Sequence, residues 1–265
     1  ASYPHFDSKR GQYVLGPPII PAQEVFPPLS TFNPTFELEY FRFGLATAQA
    51  WRERLQLPRK PEWDEVLKKL SPLPQKDGLY LAVESFPQQW EQARSPMCSA
   101  GKTSVKCWDR DHPSFLGALG FLPGASVDRE TMRRTLRAVE SDWDLRQTWG
   151  WDYPLLAMTA ARLNEPDKAI EFLLSPGKNF QFGVAGMTPR VHLDQHAADL
   201  VPAAPGSNND DGTGYRRLAE TYFPSNGGLL LAVALMAAGW DGENAPAPGF
   251  PKQGWQVRVE GIRPL

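Results

Sequence analysis

The chain has 265 residues, 42% of them hydrophobic, with 28 Lys and Arg against 30 Asp and Glu for a formal net charge of -2. That length and apolar content suffice for one large domain or two small ones around a buried core. The charges interleave and form no basic stripe, which excludes a nucleic-acid or anionic-membrane surface, and no apolar run approaches the ~20 residues that span a bilayer.

The start, Ala1-Ser2-Tyr3-Pro4, has neither a Met nor a basic-then-apolar signal segment, and is read as the beginning of a piece cut from something longer. The 26 Pro and 22 Gly cluster between periodic segments, the pattern of a helical domain with long connecting loops. The first strong helix is expected at Phe36 to Leu55. Asn33 or Thr35 caps it, and Leu38, Phe41, Leu45, Ala48, Trp51 and Leu55 recur at the spacing of one buried face. Pro61 opens a short amphipathic helix from Glu62 to Leu70, with Trp63, Val66, Leu67 and Leu70 inward, and Pro72 and Pro74 stop it. Leu79 to Val83 is too short for a helix and reads as an extended segment leading to Glu84.

Cys98 and Cys107 lie in a polar loop as free thiols or a small disulfide. Without CxxC spacing or a nearby His they argue against a metal site. Asp111-His112-Pro113 precedes a short helix from Ser114 to Phe121. Asp128 then starts a helix whose buried face is Met132, Leu136, Val139 and Trp143. A helical hairpin follows, Pro154 to Leu163 and Pro166 to Leu174 across Asn164-Glu165, with Leu156, Ala160, Leu163, Ala169, Ile170 and Leu173 inward. The stretch from Ser175 to Tyr222 is read as a long polar loop, whose Ser207 to Gly212 run cannot pack a core. Within it His192, Asp194 and His196 have a metal-like spacing but neither helical periodicity nor a third ligand, so no metal is expected. Leu229 to Ala238 is apolar on every side and predicts a fully buried inner helix. The tail from Trp255 to Glu260 alternates like a strand. The class is all-α, built of paired helices, with a short β-strand tail.

The stretch richest in chemistry is Thr148-Trp149-Gly150-Trp151-Asp152-Tyr153-Pro154. Flat indole faces beside a carboxylate suit a sugar: Trp stacks on pyranose rings while Asp accepts hydroxyl hydrogen bonds. Core anchoring by the Trp and helix capping by Asp152 are the structural alternatives.

Five runs carry a resemblance: Asn33 to Leu38, Asp111 to Ser114, Thr148 to Pro154, Pro224 to Leu230, and Ala237-Ala238-Gly239-Trp240-Asp241-Gly242. From about Leu15 onward the chain resembles six-hairpin glycosidases. It is most similar to bacterial proteins labelled glycoside hydrolase family 65, and more distantly to the inverting α-L-fucosidases of family 95. The resemblance implies an (α/α)6 barrel of which this chain holds the C-terminal part, the N-terminal part of the enzyme being absent. It also implies a periplasmic or extracellular location. On that basis residues 1–34 form a Pro-rich segment carrying the acid, 35–242 a partial catalytic domain and 243–265 a tail.

In those families the general acid lies in a Pro-rich loop before the first helix, which implies Glu24 here. Flanking Pro and Ile would raise the pKa of its carboxyl, as a proton donor requires. The fucosidase base, an Asp before a Gly-Asn pair, has no counterpart in Pro224-Ser225-Asn226. Asn226 can hold a hydroxyl or water but accepts no proton. Glu84, Asp111 and Asp152 are the candidate bases, a buried salt bridge to Arg being the alternative for Glu84. Trp149, Trp151, His112, Asp111 and Asn226 are the expected substrate contacts, although a buried histidine satisfied within the core is equally open for His112. The implied activity is glycoside hydrolysis, with water attacking as the acid protonates the leaving oxygen. It needs no cofactor, and the isolated fragment need not be active. A non-catalytic sugar-binding domain and a polysaccharide lyase with a His or Tyr base are the alternatives.

Overall fold

The computed structural model describes residues 3–95, 108–192, 216–219, 221–243 and 245–263. The chain opens with an antiparallel ribbon of β1 (His5–Asp7) and β2 (Gln12–Val14), in which His5 faces Val14 and Asp7 faces Gln12. Helices α1 (Thr35–Arg54) and α2 (Pro61–Lys69) follow. A second ribbon pairs β3 (Gln75–Lys76) with β4 (Leu79–Tyr80). Its turn is Asp77-Gly78, both at positive φ, which is the geometry a two-residue hairpin demands. Then come α3 (Gln89–Ala93), α4 (Gly117–Gly120) after a 3-10 turn at Ser114–Leu116, and α5 (Arg129–Asp142). The hairpin of α6 (Asp152–Arg162) and α7 (Pro166–Leu173) leads to a third ribbon, β5 (Arg190–His192) with β6 (Arg216–Ala219), and to α8 (Phe223–Ala238). Helices dominate and every strand is short, so the all-α expectation holds at the level of class.

The chain divides into two compact units, residues 1–90 with 113–137, and residues 91–112 with 138–265. In the first, α1 packs against α2, α4 and the 3-10 turn before α4, burying Leu38, Val66, Phe115, Leu116 and Leu119. Asp128 accepts the N–H of Thr131 at 2.7 Å and starts α5, whose Met132, Leu136, Val139 and Trp143 are all buried as their spacing predicts. In the second unit α6 is buried along its whole length, because α7 and α8 both pack on it. Asn164, at φ 64, makes the tight turn between α6 and α7.

Several sequence expectations change. In α1, Leu38 is buried but Trp51 and Leu55 are exposed, and Glu39 and Gln49 are buried instead. Apolar residues lie all round this helix, so periodicity did not single out the packed side. Helix α8 starts six residues before Leu229 and is not enclosed. Ala232, Leu235 and Met236 pack inward, while Phe223 and Leu230 are more than half exposed. Residues 175–222 are not only polar loop: Asn179, Phe180, Thr188 and Arg190 are buried and β5 pairs with β6. The tail strand is absent, since Trp255 to Glu260 is irregular and mostly exposed, and its alternation met no strand to pair with among the described residues. Cys98, Cys107, Asp194, His196 and Ser207 to Gly212 lie outside the described residues.

Candidate functional site

The second unit gathers Asp111, His112, Trp149, Trp151, Asp152, Arg190 and Tyr222 around the start of α6. Asp152 is 0% exposed. A carboxylate taken fully out of water must be compensated on both oxygens. One oxygen, Oδ2, accepts the Thr148 hydroxyl and the Trp149 N–H at 2.8 Å. The other, Oδ1, lies 3.0 Å from His112 Nδ1, which is also 3.3 Å from Oδ2. Thr148 is held in turn through its carbonyl, which accepts from Asn179 Nδ2 at 2.9 Å.

His112 sits between the two indoles, with ring centroids 5.3 Å from Trp149 and 4.4 Å from Trp151. Burial alone would lower its pKa. The charge and hydrogen bond of Asp152, helped by Asp111, outweigh burial and Arg190 and hold it above the ordinary histidine value. Asp111 Oδ1 is 3.6 Å from His112 Nε2, and the Asp111 carbonyl accepts the Trp143 indole N–H at 2.7 Å. Arg190 lies 3.9 Å over the Trp149 ring and donates to the carbonyls of Gln147 and Thr148 at 3.3 Å each. Its burial pulls the guanidinium pKa down against the pull of Asp152. The Tyr222 ring lies tilted against Trp149 with centroids 5.4 Å apart, and burial followed by the charge of Asp152 raises its hydroxyl pKa.

The turn that sets the two indoles depends on Gly150. A Cβ there would run into the Ser225 hydroxyl and the Asn179 carbonyl. Behind it the Tyr153 hydroxyl donates to the Leu145 carbonyl at 2.6 Å, and burial pushes its pKa up to about 12.

Of the residues singled out from sequence, Asp111, His112, Trp149, Trp151 and Asp152 come together. The carboxylate of Asp152 is spent on Thr148, Trp149 and His112, and it caps no helix N–H groups of α6. Asn226, in the first turn of α8, gives its amide N–H to the Gly186 carbonyl at 2.7 Å, while its Oδ1 is buried without a partner.

Glu24 and Glu84 belong to the first unit. Glu24 is exposed in a turn, so the flanking Pro and Ile do not dehydrate it. Glu84 is gripped by Arg10 through both carboxylate oxygens, one at 3.0 Å, and receives Asn33 Nδ2 at 2.6 Å. Burial would raise its pKa, but the Arg10 and Asn33 hydrogen bonds lower it further. A further carboxyl of this region, half-buried, is Glu37 in the first turn of α1. Its Oε1 accepts the Ala22 N–H at 2.5 Å, its Oε2 is buried without a partner, and burial raises its pKa. Among the described residues no group of three or more His, Cys, Asp or Glu is placed to hold a metal ion.

Sequence reasoning missed Thr148, Asn179, Arg190, Tyr222 and Glu37. Only Thr148 carried a signal, its position four residues before Asp152 at a helix start. Comparison with protein-family models finds no match, and comparison with curated proteins finds none.

Proposed function

We propose that this chain is part of a carbohydrate-active enzyme, a glycoside hydrolase of the six-hairpin type, its hairpins belonging to an (α/α)6 barrel. The observation that carries this reading is the cluster of Trp149, Trp151 and Tyr222 about His112, with Asp111 beside it: aromatic faces and polar groups interleaved at one place. Sugars present both kinds of surface at once, apolar C–H faces and ringed hydroxyls.

Water attacks the anomeric carbon and the glycosidic C–O bond breaks. The leaving oxygen takes a proton from an acid, and a carboxylate takes a proton from the water. Within the cluster Asp152 is fully buried and engaged by Thr148, Trp149 and His112, whereas Asp111, whose Oδ1 accepts the His112 backbone N–H at 2.8 Å, keeps its side chain 17% exposed to water and is the base of this reading. The acid implied by resemblance is Glu24. Its exposure, and Asn226 standing where a base would be, favour a second reading in which the domain binds sugar without cleaving it.

Tryptophan fluorescence titrated with a panel of neutral and uronic oligosaccharides, beside reducing-end release, tests both. Hydrolysis predicts that Asp111→Asn cuts turnover about a hundredfold or more with affinity kept. Binding without turnover in the wild type selects the second reading. Release of an unsaturated, ultraviolet-absorbing product from a uronic oligosaccharide makes the enzyme a lyase, and absence of any binding removes the carbohydrate assignment.

A further inference from the structure

We propose that Asp152 is a positioning residue for His112: it fixes the ring proton on Nδ1 and leaves Nε2 as the atom through which the site exchanges a proton with its ligand. That the ligand is a sugar rests on the reading above. The orientation of the imidazole does not.

An ionised carboxylate only accepts hydrogen bonds, so the His112 nitrogen 3.0 Å from Asp152 Oδ1 must be the donor. Thr148 and the Trp149 N–H occupy the other carboxylate oxygen, which stops the carboxylate turning away. The imidazole is thereby held from behind and wedged between two indoles. Nε2 is left over, 3.6 Å from Asp111 Oδ1. That gap is too long for a good direct hydrogen bond, which leaves Nε2 able to bond a ligand hydroxyl. The charged groups that bear on the ring are Asp152, Asp111 and Arg190. The two carboxylates favour the imidazolium.

In its charged form His112 donates from Nε2 to a ligand oxygen. Where that oxygen is the leaving glycosidic oxygen, His112 takes the acid role in place of Glu24: the Nε2–H bond breaks, an O–H bond forms as the C–O bond breaks, and water later returns the proton to Nε2. The proton on Nδ1 stays in place throughout. Asp152 thus acts only through His112, and Thr148 acts through Asp152.

Nitrogen-detected NMR of the imidazole tests the assignment on the whole chain. The expected result is the Nδ1–H tautomer at high pH and a titration above the ordinary histidine range. Asp152→Asn should lower the midpoint by about one unit or more, and Asp111→Asn should leave the tautomer unchanged. An Nε2–H tautomer in the wild type overturns the proposal even if Asp152→Asn does not fold. So does a midpoint that Asp152→Asn leaves in place.

Maltotriose and cellotriose serve as probes for the second half. Affinity should fall about tenfold as pH rises through the His112 midpoint, the loss expected when a charged donor becomes a neutral acceptor. In His112→Gln that dependence should vanish. Flat affinity across the midpoint overturns the proton-exchange role while the carbohydrate reading stands. If neither trisaccharide binds, the carbohydrate reading fails for these ligands, and the tautomer still decides whether Asp152 positions His112.

Discussion

Two glutamates thirteen residues apart in the first unit have opposite environments. Glu24 is in water, whereas Glu37 is half-buried and its Oε1 accepts the Ala22 N–H of the Pro-rich loop. Burial lifts the folded pKa of Glu37 above its ordinary 4.5. Its protonated form therefore favours folding: that contribution is complete below 4.5 and is lost as pH rises through the raised value. Glu37→Gln keeps an oxygen for Ala22 and removes the charge. Melting curves should show the variant level with the wild type at acid pH and more stable at pH 8. Equal pH dependence in the two would mean that Glu37 reaches solvent. None of this was legible in the sequence, where both residues are loop-adjacent carboxylates. Asp152 and His112 were legible as residues of interest, because Trp and Pro flank them. Their pairing was not, since it joins positions 40 residues apart.

Helices α1 and α5 show when periodicity is informative. In α5 the face opposite Met132, Leu136 and Val139 is charged, so the packed side could be read directly. In α1 the side facing away carries Tyr40, Phe43 and Trp51, while Arg42 and Gln49 turn toward α2 and its flank and Glu39 accepts the Ser126 N–H at 3.2 Å. Arg42 reaches the Leu67 carbonyl at 3.1 Å, and Gln49 the Lys60 carbonyl at 2.8 Å. Hydrogen bonding to neighbouring backbone thus overrode the apolar pattern. Helix α6 is the opposite extreme, enclosed by α7 and α8. Leu156→Ala should cost about 2–5 kcal/mol in denaturant unfolding, whereas Trp51→Ala should change stability by about 0.5 kcal/mol or less. A large loss at Trp51 would show that the outer side of α1 is covered in solution.

Across the whole molecule the class and most helix positions were legible, because each helix has its own punctuation. The short ribbons were not, since two or three residues are too few to show alternation. Both units leave sizeable apolar side chains in water, Tyr40, Trp51 and Leu55 in one and Phe223, Leu230 and Leu231 in the other. Contiguous exposed apolar surface promotes association. Sedimentation should therefore show weight-average mass rising with concentration, and Leu230→Lys should reduce the rise without lowering the melting temperature. A monomer at all concentrations would mean that these side chains are too scattered to adhere. The turn between the two indoles has a different kind of reach. At Gly150 three stretches of chain that are far apart in sequence come together with no space for a methyl group, so the separation of the rings is set by an absence. Over descent, exchanging either indole would reshape the rim one ring at a time. Adding a single carbon between them would push Asn179 and Ser225 apart and unseat Thr148 through its Asn179 bond. Variation around these two rings has room at their edge and none at their hinge.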